Sequence, residues 1–396
     1  MGSGFAGVEA VRKLEKLGLC ERAECLWVTL APKMVFLPLT PALAGQRYEP
    51  VDVEWSVESL AKRAGIELVD ARVVAVEDNR IRLEGGEVLG YDYLVLAAGA
   101  RPAFYGVPGA EEHSITACSV SETWWLGRRI REGRISSIVI VGAGFVGVEM
   151  AAELLSLSKS LGLELDITLV DVNSEPLEVL GNRRASRIVR RVLEGLGARL
   201  VMGQPVVRVS AEGVVLRDGS KIPADAVVWA AGFRGPGIDA PGESLTRQGF
   251  FRVDRYLRVR GMDGKVYAAG DTMHFEHGGN ISLKMAREAI RSASRAVENI
   301  AAKITGKEEK PYKPLITSRR PLAGVCLGPG EGVVILGKRL ALRTGLINWV
   351  HEKLREKYSK LLGMQRAPYY RRPMNQEHGE KPWRKKSRWS PVLAEA

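Results

Sequence analysis

An α/β fold made of two parallel-sheet units is what the sequence predicts, on three observations. A run typical of a fully buried strand, Ile138-Val139-Ile140-Val141, leads straight into Gly142, Gly144 and Gly147 and then into a helical pattern. A second glycine triplet, Gly2, Gly4 and Gly7, opens the chain ahead of another helical pattern. Two apolar strands that each end in Ala-Ala-Gly, within 91–100 and 224–232, form an internal repeat. Strand, glycine turn and helix in this order are the signature of a Rossmann-like, dinucleotide-binding unit.

The second unit carries the fuller pattern. Residues 138–141 suit a strand covered on both faces. Gly142 permits the tight turn, Gly144 lets backbone approach a pyrophosphate, and Gly147 lets the helix pack close to the strand. Phe145 and Val146 then begin the helix, whose free N–H groups and dipole favour a diphosphate by about 0.3–1 kcal/mol per charge. The next strand, Asp166 to Val170, ends at Asp171, roughly the 20 residues on at which a ribose-binding acid is expected. A carboxylate there accepts from an adenosine ribose diol and repels a 2′-phosphate, so NAD is favoured over NADP.

In the first unit Phe5 and Ala6 follow the glycine turn, Leu14 and Leu17 continue the helix, and Gly18 is placed to cap it. The strand that should precede the turn is missing, and Ala31 stands where the ribose-binding acid would be. Either the recorded start lies downstream of the true one or this half-site holds its nucleotide with fewer contacts. Residues 67–96 alternate around Gly85-Gly86 and predict antiparallel strands leading to a buried one. That strand ends in Ala98-Gly99, small residues that admit a cofactor close to the backbone, and Gly232 closes the second unit likewise. Val266 to Asp271 is a strand ending in Gly270-Asp271, where an acid can accept from a ribityl hydroxyl, with a helix over 282–303 after it.

Composition sets the outer bounds. The 396 residues allow two or three domains with full cores. A hydrophobic content of 45% and a charged content of 26% exclude a disordered chain. The net charge of +12 suits anionic partners, nucleic acid or an anionic membrane face. Cys20, Cys25, Cys118 and Cys326 form no zinc-type cluster and are too few for a disulfide framework, so they read as free thiols in a reducing cytoplasm. No apolar run reaches the ~20 residues that span a bilayer, which leaves peripheral contact as the only membrane mode. His274 and His277 lack a third ligand nearby, and the loop holding them is not read as a metal site.

In their order, FLPLTPALAG (36–45), VPGAEEHSIT (107–116), GAGFVGVEMA (142–151), IPADAVVWAAG (222–232) and VYAAGD (266–271) resemble the two-dinucleotide flavoproteins. More narrowly, the chain is similar to the type II NADH dehydrogenases, NADH:quinone oxidoreductases, over roughly residues 1–340. The resemblance implies a discontinuous FAD domain (1–115 and 239–305), an inserted NAD domain (116–238), a capping and amphipathic-helix region (306–363) and a basic tail (364–396). It implies FAD held by Gly2, Gly4, Gly7, Gly99 and Asp271, and NADH held by Gly142, Gly144, Gly147 and Asp171. Glu149 matches the family's carboxylate near the nicotinamide–flavin contact, although an acid in a first helical turn is also favoured by the dipole alone. The implied enzyme is peripheral on the cytoplasmic face of the cell membrane and reduces a quinone without pumping protons.

At one motif the chain departs from that family. An Ala-Gln-x-Ala-x-Gln pattern is replaced by Ala286-Arg287-Glu288-Ala289-Ile290-Arg291, which makes Arg287, with Lys284 just before it, the candidate donors to an acceptor and leaves the acceptor open. The sulfide:quinone oxidoreductases are near relatives, and Cys118 and Cys326 look similar to cysteines of that family; inert buried thiols are the plainer reading. A nucleotide-binding module without turnover is the remaining alternative. Toward the C-terminus, Leu346, Ile347, Trp349, Val350, Leu354, Tyr358, Leu361 and Leu362 share one helical face flanked by basic residues. That face suits an in-plane membrane helix or a second subunit in a homodimer. The basic, aromatic tail would reinforce an anionic membrane contact, and with no nucleic-acid fold signature beside it nucleic acid is disfavoured as a partner.

Overall fold

The computed structural model of the protein describes residues 1–363, and the tail 364–396, with the membrane role expected of it, lies outside the described residues. Helix α1 (Phe5–Leu17) starts from Gly4 and stops at Gly18 in the left-handed region (φ 61°), as the pattern predicts. Strand β1 (Leu26–Thr29) pairs in parallel with β2 (Glu67–Asp70). The alternating stretch 67–96 is therefore divided. Residues 67–70 extend the parallel sheet, and the antiparallel strands are confined to 73–77, 80–83 and 88–90, turning at Gly85-Gly86 (φ 119° and 92°). Alternation alone does not distinguish the edge of one sheet from the start of another.

Strand β3 (Leu94–Leu96) pairs in parallel with Val266–Ala268. Met1 and Gly2 lie between β1 and β3, where a strand ahead of the first glycine turn would run. Gly2 N–H donates to Val28 O at 2.9 Å, Ala97 N–H donates to Met1 O at 3.0 Å, and the Met1 amino group donates to Val95 O at 2.7 Å.

Cys20 and Cys25 are bonded to each other, with Cα atoms 5.6 Å apart, which corrects the expectation of four free thiols. A short turn at Leu19–Glu21 folds the chain back between α1 and β1 and brings the two together. Counting cysteines does not reveal a bridge that closes so small a loop.

The second unit is a five-stranded parallel sheet. Strands β4 (Ser114–Thr116), β5 (Ser137–Val141), β6 (Asp166–Asp171), β7 (Arg199–Met202) and β8 (Ala226–Trp229) run in the order β4-β8-β5-β6-β7. Helices α2 (Thr40–Ala44), α3 (Val120–Arg131), α4 (Phe145–Leu161) and α5 (Arg183–Leu196) surround it, with α2 lying against both α3 and α4. Residues 138–141 are buried throughout, as a strand covered on both faces requires. Val148, Met150, Ala151, Ala152 and Leu154 make α4 a core helix, and each large side chain there contributes about 1.5–3 kcal/mol on burial. Two carboxylates, Glu149 and Glu153, are nonetheless buried along the same helix.

Strand β9 (Val266–Ala268) returns to the first unit beside β3 and is followed by helix α6 (Ala286–Ile304), which packs on α1. The expected helix over 282–303 thus begins four residues later, because 282–285 is used as an extended lead-in. Strands β10 (Leu322–Cys326), β11 (Gly332–Leu336) and β12 (Leu340–Arg343) form an antiparallel sheet, and helix α7 (Leu346–Leu361) closes the described chain. One side of this sheet (Ala323, Val325, Val333, Ile335, Ala341) joins the core of the second unit.

The single apolar face expected on α7 is divided. Ile347 enters the sheet where Gly324 leaves room: a methyl on Gly324 would lie 2.0 Å from Ile347 Cδ1. Tyr358 is 2% exposed and packs edge-on against Phe5 at 5.0 Å. Leu346 and Trp349, by contrast, are 55% and 58% exposed, and Val350 on the helix and Leu336, Leu340 and Leu342 on the sheet are exposed as well. The helix is therefore docked on its own chain along one side, through Ile347 and Tyr358, and is open along the other at Leu346, Trp349 and Val350.

Candidate functional site

The two glycine turns have matched geometry. Gly2 and Gly142 both adopt positive φ (91° and 105°), and each presses against the strand end beside it. A methyl on Gly2 would meet Ala97 O at 2.3 Å, and one on Gly142 would meet Ala230 C at 2.6 Å. Gly7 and Gly147 pack on the turns themselves: a methyl on either would lie 1.8 Å from the carbonyl oxygen of Gly2 or Gly142. Gly4 and Gly144 differ from these, with nothing within 4 Å on the side where a Cβ would stand. Both are extended at the helix start with no side chain capping them, so the first-turn N–H groups at Phe5-Ala6 and Phe145-Val146 face an open cradle. Open space at the middle glycine and uncapped N–H groups are what a diphosphate needs, and both turns fit one.

The acids around the turns differ in setting. Asp171 ends β6; its carboxylate accepts from Ala143 N–H inside the glycine turn and from Asn173 N–H at 2.7 Å. At the first turn, where Ala31 supplies no acid, Asp70 from the neighbouring strand β2 accepts from Ala31 N–H at 2.8 Å. Sequence reasoning missed Asp70 because only strand pairing brings it there. Asp271 follows Gly270, whose backbone is packed so close to α1 that a methyl would lie 2.8 Å from Ala6 Cβ. Burial raises the Asp271 carboxyl above its usual range and the Lys284 charge opposes the rise. Lys284 Nζ donates to Asp271 O at 2.7 Å and Met273 O at 3.0 Å, and lies 3.7 Å from the centre of the Phe250 ring. Burial lowers this amine to about 8, with the Asp271 charge opposing the fall, while its two backbone hydrogen bonds make Lys284 a clamp on the Asp271 loop. Gly99, with positive φ (73°) and open space beside it, accepts from Thr272 Oγ1 at 3.2 Å through its carbonyl oxygen. Gly232 (φ 127°) lies under the exposed Tyr105.

Glu149 lies in the first turns of α4, 7% exposed, with Oε1 accepting from Cys326 N–H at 2.9 Å. Burial raises it to about 8, and the neighbouring Glu153 adds to the rise while the Cys326 N–H opposes it. Glu153 is 1% exposed and is raised by burial to about 7, with the Arg47 charge opposing the rise. Arg47 Nη2 lies 3.0 Å from Glu153 Oε1. Cys326 Sγ is 3.4 Å from His351 Nδ1 of α7. Burial and then Arg47 lower His351 to about 4, and burial with the nearby carboxylates drives the Cys326 thiol far up. Cys118 is free and is raised to about 11, by burial first and then by Asp271. Cys326 therefore lies beside Glu149 and Cys118 within the field of Asp271, and both thiols are shifted toward the protonated form.

Of the acceptor candidates, Arg287 is exposed on α6. Arg291 turns away, its Nη2 donating to Lys313 O at 3.0 Å. Residues that sequence reasoning passed over are Glu153, Arg47 and His351. Glu153 had a signal, a second acid four residues after Glu149 in an apolar run; Arg47 and His351 had none.

Residues 1–299 match the family described as pyridine nucleotide-disulphide oxidoreductase. A type II NADH:quinone oxidoreductase of Staphylococcus aureus is 27% identical, over 86% of this chain and 90% of the relative. Two solved structures share the fold. The sulfide:quinone oxidoreductase of Aquifex aeolicus has a TM-score of 0.79 at 17% identity, over 93% of this chain and 91% of that one. NDH2 of Plasmodium falciparum in complex with NADH has a TM-score of 0.74 at 14% identity, over 91% and 93%.

Proposed function

As a member of the pyridine nucleotide-disulphide oxidoreductase family, the chain, we propose, oxidises NADH through FAD and delivers the two electrons to a quinone. The observation that carries the reading is the matched pair of open glycine turns, two dinucleotide cradles on one chain. The length over which a type II NADH:quinone oxidoreductase aligns supports the choice of donor and acceptor.

Bound FAD supplies hydride acceptance from NADH and electron release to an acceptor. The turn Gly2–Gly7 would hold its diphosphate through first-turn N–H groups, with Asp271 accepting from a ribityl hydroxyl and Lys284 fixing the backbone that carries Asp271. The turn Gly142–Gly147 would hold NADH in the same way. Asp171 would accept from the adenosine ribose and disfavour a 2′-phosphate. Glu149, anchored at one oxygen by Cys326 N–H, keeps a proton near neutral pH in the buried space beside the cofactors. An anaerobic stopped-flow experiment tests the core of the reading: NADH bleaches the bound flavin within the turnover time, and a flavin that stays oxidised defeats it and leaves a binding module. Asp171→Ala should raise KM for NADH by about tenfold and narrow the preference over NADPH, measured as the ratio of kcat/KM values.

Sulfide is the rival donor, because Cys326 lies at Glu149 and Cys118 at Asp271. Both thiols are pushed up, which suppresses the thiolate that sulfur chemistry requires. Quinone reduction driven by sulfide, and abolished by Cys326→Ser, would favour that rival.

For the acceptor side, the reading places an anionic bilayer against the exposed apolar residues Leu336, Leu340, Leu342, Leu346, Trp349 and Val350, with the exposed Lys338, Arg339 and Lys353 in the same two segments of chain. No helix among the described residues is long and apolar enough to cross a membrane. Trp349→Glu should release the chain from anionic vesicles in co-sedimentation, with a roughly tenfold weaker partition. Unchanged sedimentation, with dimer dissociation on sizing, would assign the face to a second copy instead.

A further inference from the structure

We propose that Glu153 relays protons between solvent and Glu149, with Arg47 and the start of α7 framing the opening through which water reaches it. The inference deepens the NADH-to-quinone reading and rests on it. It begins with spacing. Glu149 and Glu153 are four residues apart on α4 and so share one helix face. Around them the helix is mostly apolar, and a carboxylate buried there without partners is costly. Neither oxygen of Glu153 receives a hydrogen bond among the described residues. Its close charge is Arg47 Nη2 at 3.0 Å, an ion-pair contact.

Arg47 differs from Glu153 in one respect that matters. Its side chain is 24% exposed against 1% for Glu153, so the guanidinium stands at the boundary between the buried pair and solvent. The segment just before it is pressed against the acid: a methyl on Gly45 would lie 2.8 Å from Glu153 Oε2. Both Nη atoms of Arg47 donate to Asn348 Oδ1 of α7 at 3.2 Å. Tyr48 beside it donates to Glu352 Oε2 at 2.9 Å, so the polar seam runs outward between Arg47 and α7.

The charged and titratable groups facing Glu153 are Glu149 on α4, Arg47 after α2, Cys326 on β10 and His351 on α7. Cys326 holds its proton and His351 stays neutral near pH 7, for the reasons of burial given above. A guanidinium is not deprotonated in proteins. The two carboxylates are then the groups of this cluster that exchange protons near neutrality. Cys326 N–H occupies Glu149 Oε1 and leaves Oε2 to carry the proton.

The reaction consumes a proton that such a path would supply. NADH, quinone and one proton give NAD⁺ and quinol, so each turnover draws one proton from water. The Glu149 O–H bond breaks as its proton leaves toward the reduced acceptor. Glu153 then gives its proton to the Glu149 carboxylate and recovers one from water at Arg47. The electrons come from NADH alone, and no further reactant enters.

The test uses the full flavin-loaded chain with NADH and a water-soluble quinone, turnover being measured per bound flavin across neutral and mildly alkaline pH. Anaerobic bleaching of the unsubstituted chain by NADH is measured first; its absence would defeat the underlying reading before the relay is reached. Given bleaching, Glu153→Gln should lower turnover at about pH 8 by roughly tenfold or more, and added imidazole buffer should restore it in proportion to its concentration. Arg47→Met should move the alkaline limb of the pH profile upward, because Arg47 favours the ionised form of Glu153. Turnover of Glu153→Gln within about twofold of the unsubstituted chain at every pH would overturn the relay. So would a loss that buffer does not restore and that Glu153→Asp shares, since that is a packing defect. Should Glu153→Gln fail to bind flavin, the limb in Arg47→Met decides: unmoved, it overturns the relay.

Discussion

Gly7→Ala is expected to yield a chain that takes up little or no flavin, with occupancy falling by about tenfold or more. The added methyl would stand 1.8 Å from Gly2 O, well inside contact distance, and what it meets is backbone. Helix α1 would have to move off the turn, carrying the first-turn N–H groups out of line with a diphosphate. The same change in the other cradle, Gly147→Ala, meets Gly142 O at the same 1.8 Å. Its expected outcome is different: flavin is retained and NADH no longer reduces it. The flavin absorbance per chain and the NADH bleaching rate separate the two results. If Gly7→Ala kept full occupancy while Gly147→Ala lost it, the assignment of the two cradles would be reversed.

Glu149→Gln is expected to change the pH dependence of stability as well as of turnover. The carboxyl is raised by burial from the usual 4.5 to about 8 in the fold. A raised acid contributes fully below about pH 4.5, where it is neutral in both states, and that contribution is lost as pH climbs toward 8. The loss is on the order of 4 kcal/mol for a shift of this size, shared with Glu153. Glutamine can accept from Cys326 N–H as Glu149 Oε1 does and carries no charge to lose. The substituted chain should therefore match the original in denaturant midpoint near pH 5 and exceed it near pH 8, while quinone turnover falls. Parallel midpoints across that window would show that Glu149 is not held protonated by its surroundings.

Much of this site was written locally. Strand 138–141, its glycine turn, its helix and Asp171 are contiguous or one strand apart, and each makes the same demand on geometry wherever it occurs. The start of α1, its cap at Gly18 and the Gly270-Asp271 strand end were legible for the same reason. The acid cluster was not. Arg47, Glu153, Cys326 and His351 come from four separate elements, and their spacing along the chain carries no periodicity. The bridge between Cys20 and Cys25 depends on how tightly one turn closes, and the supply of Asp70 to the first cradle depends on which strand pairs with β1. Arg287 and Arg291 stand where the resemblance expects glutamines, and the direction each faces is set by the packing of α6 on α1.

The sequence alone thus determined the two cradles and their order, because glycine turns and buried strands are specified by short-range sterics and local hydrophobic pattern. Tertiary structure alone decided the state of the carboxylates and the use of α7. Ionisation follows from how much water and which charges surround a group, and the face of a helix that stays open follows from what else packs on it. Neither quantity exists until the distant segments meet.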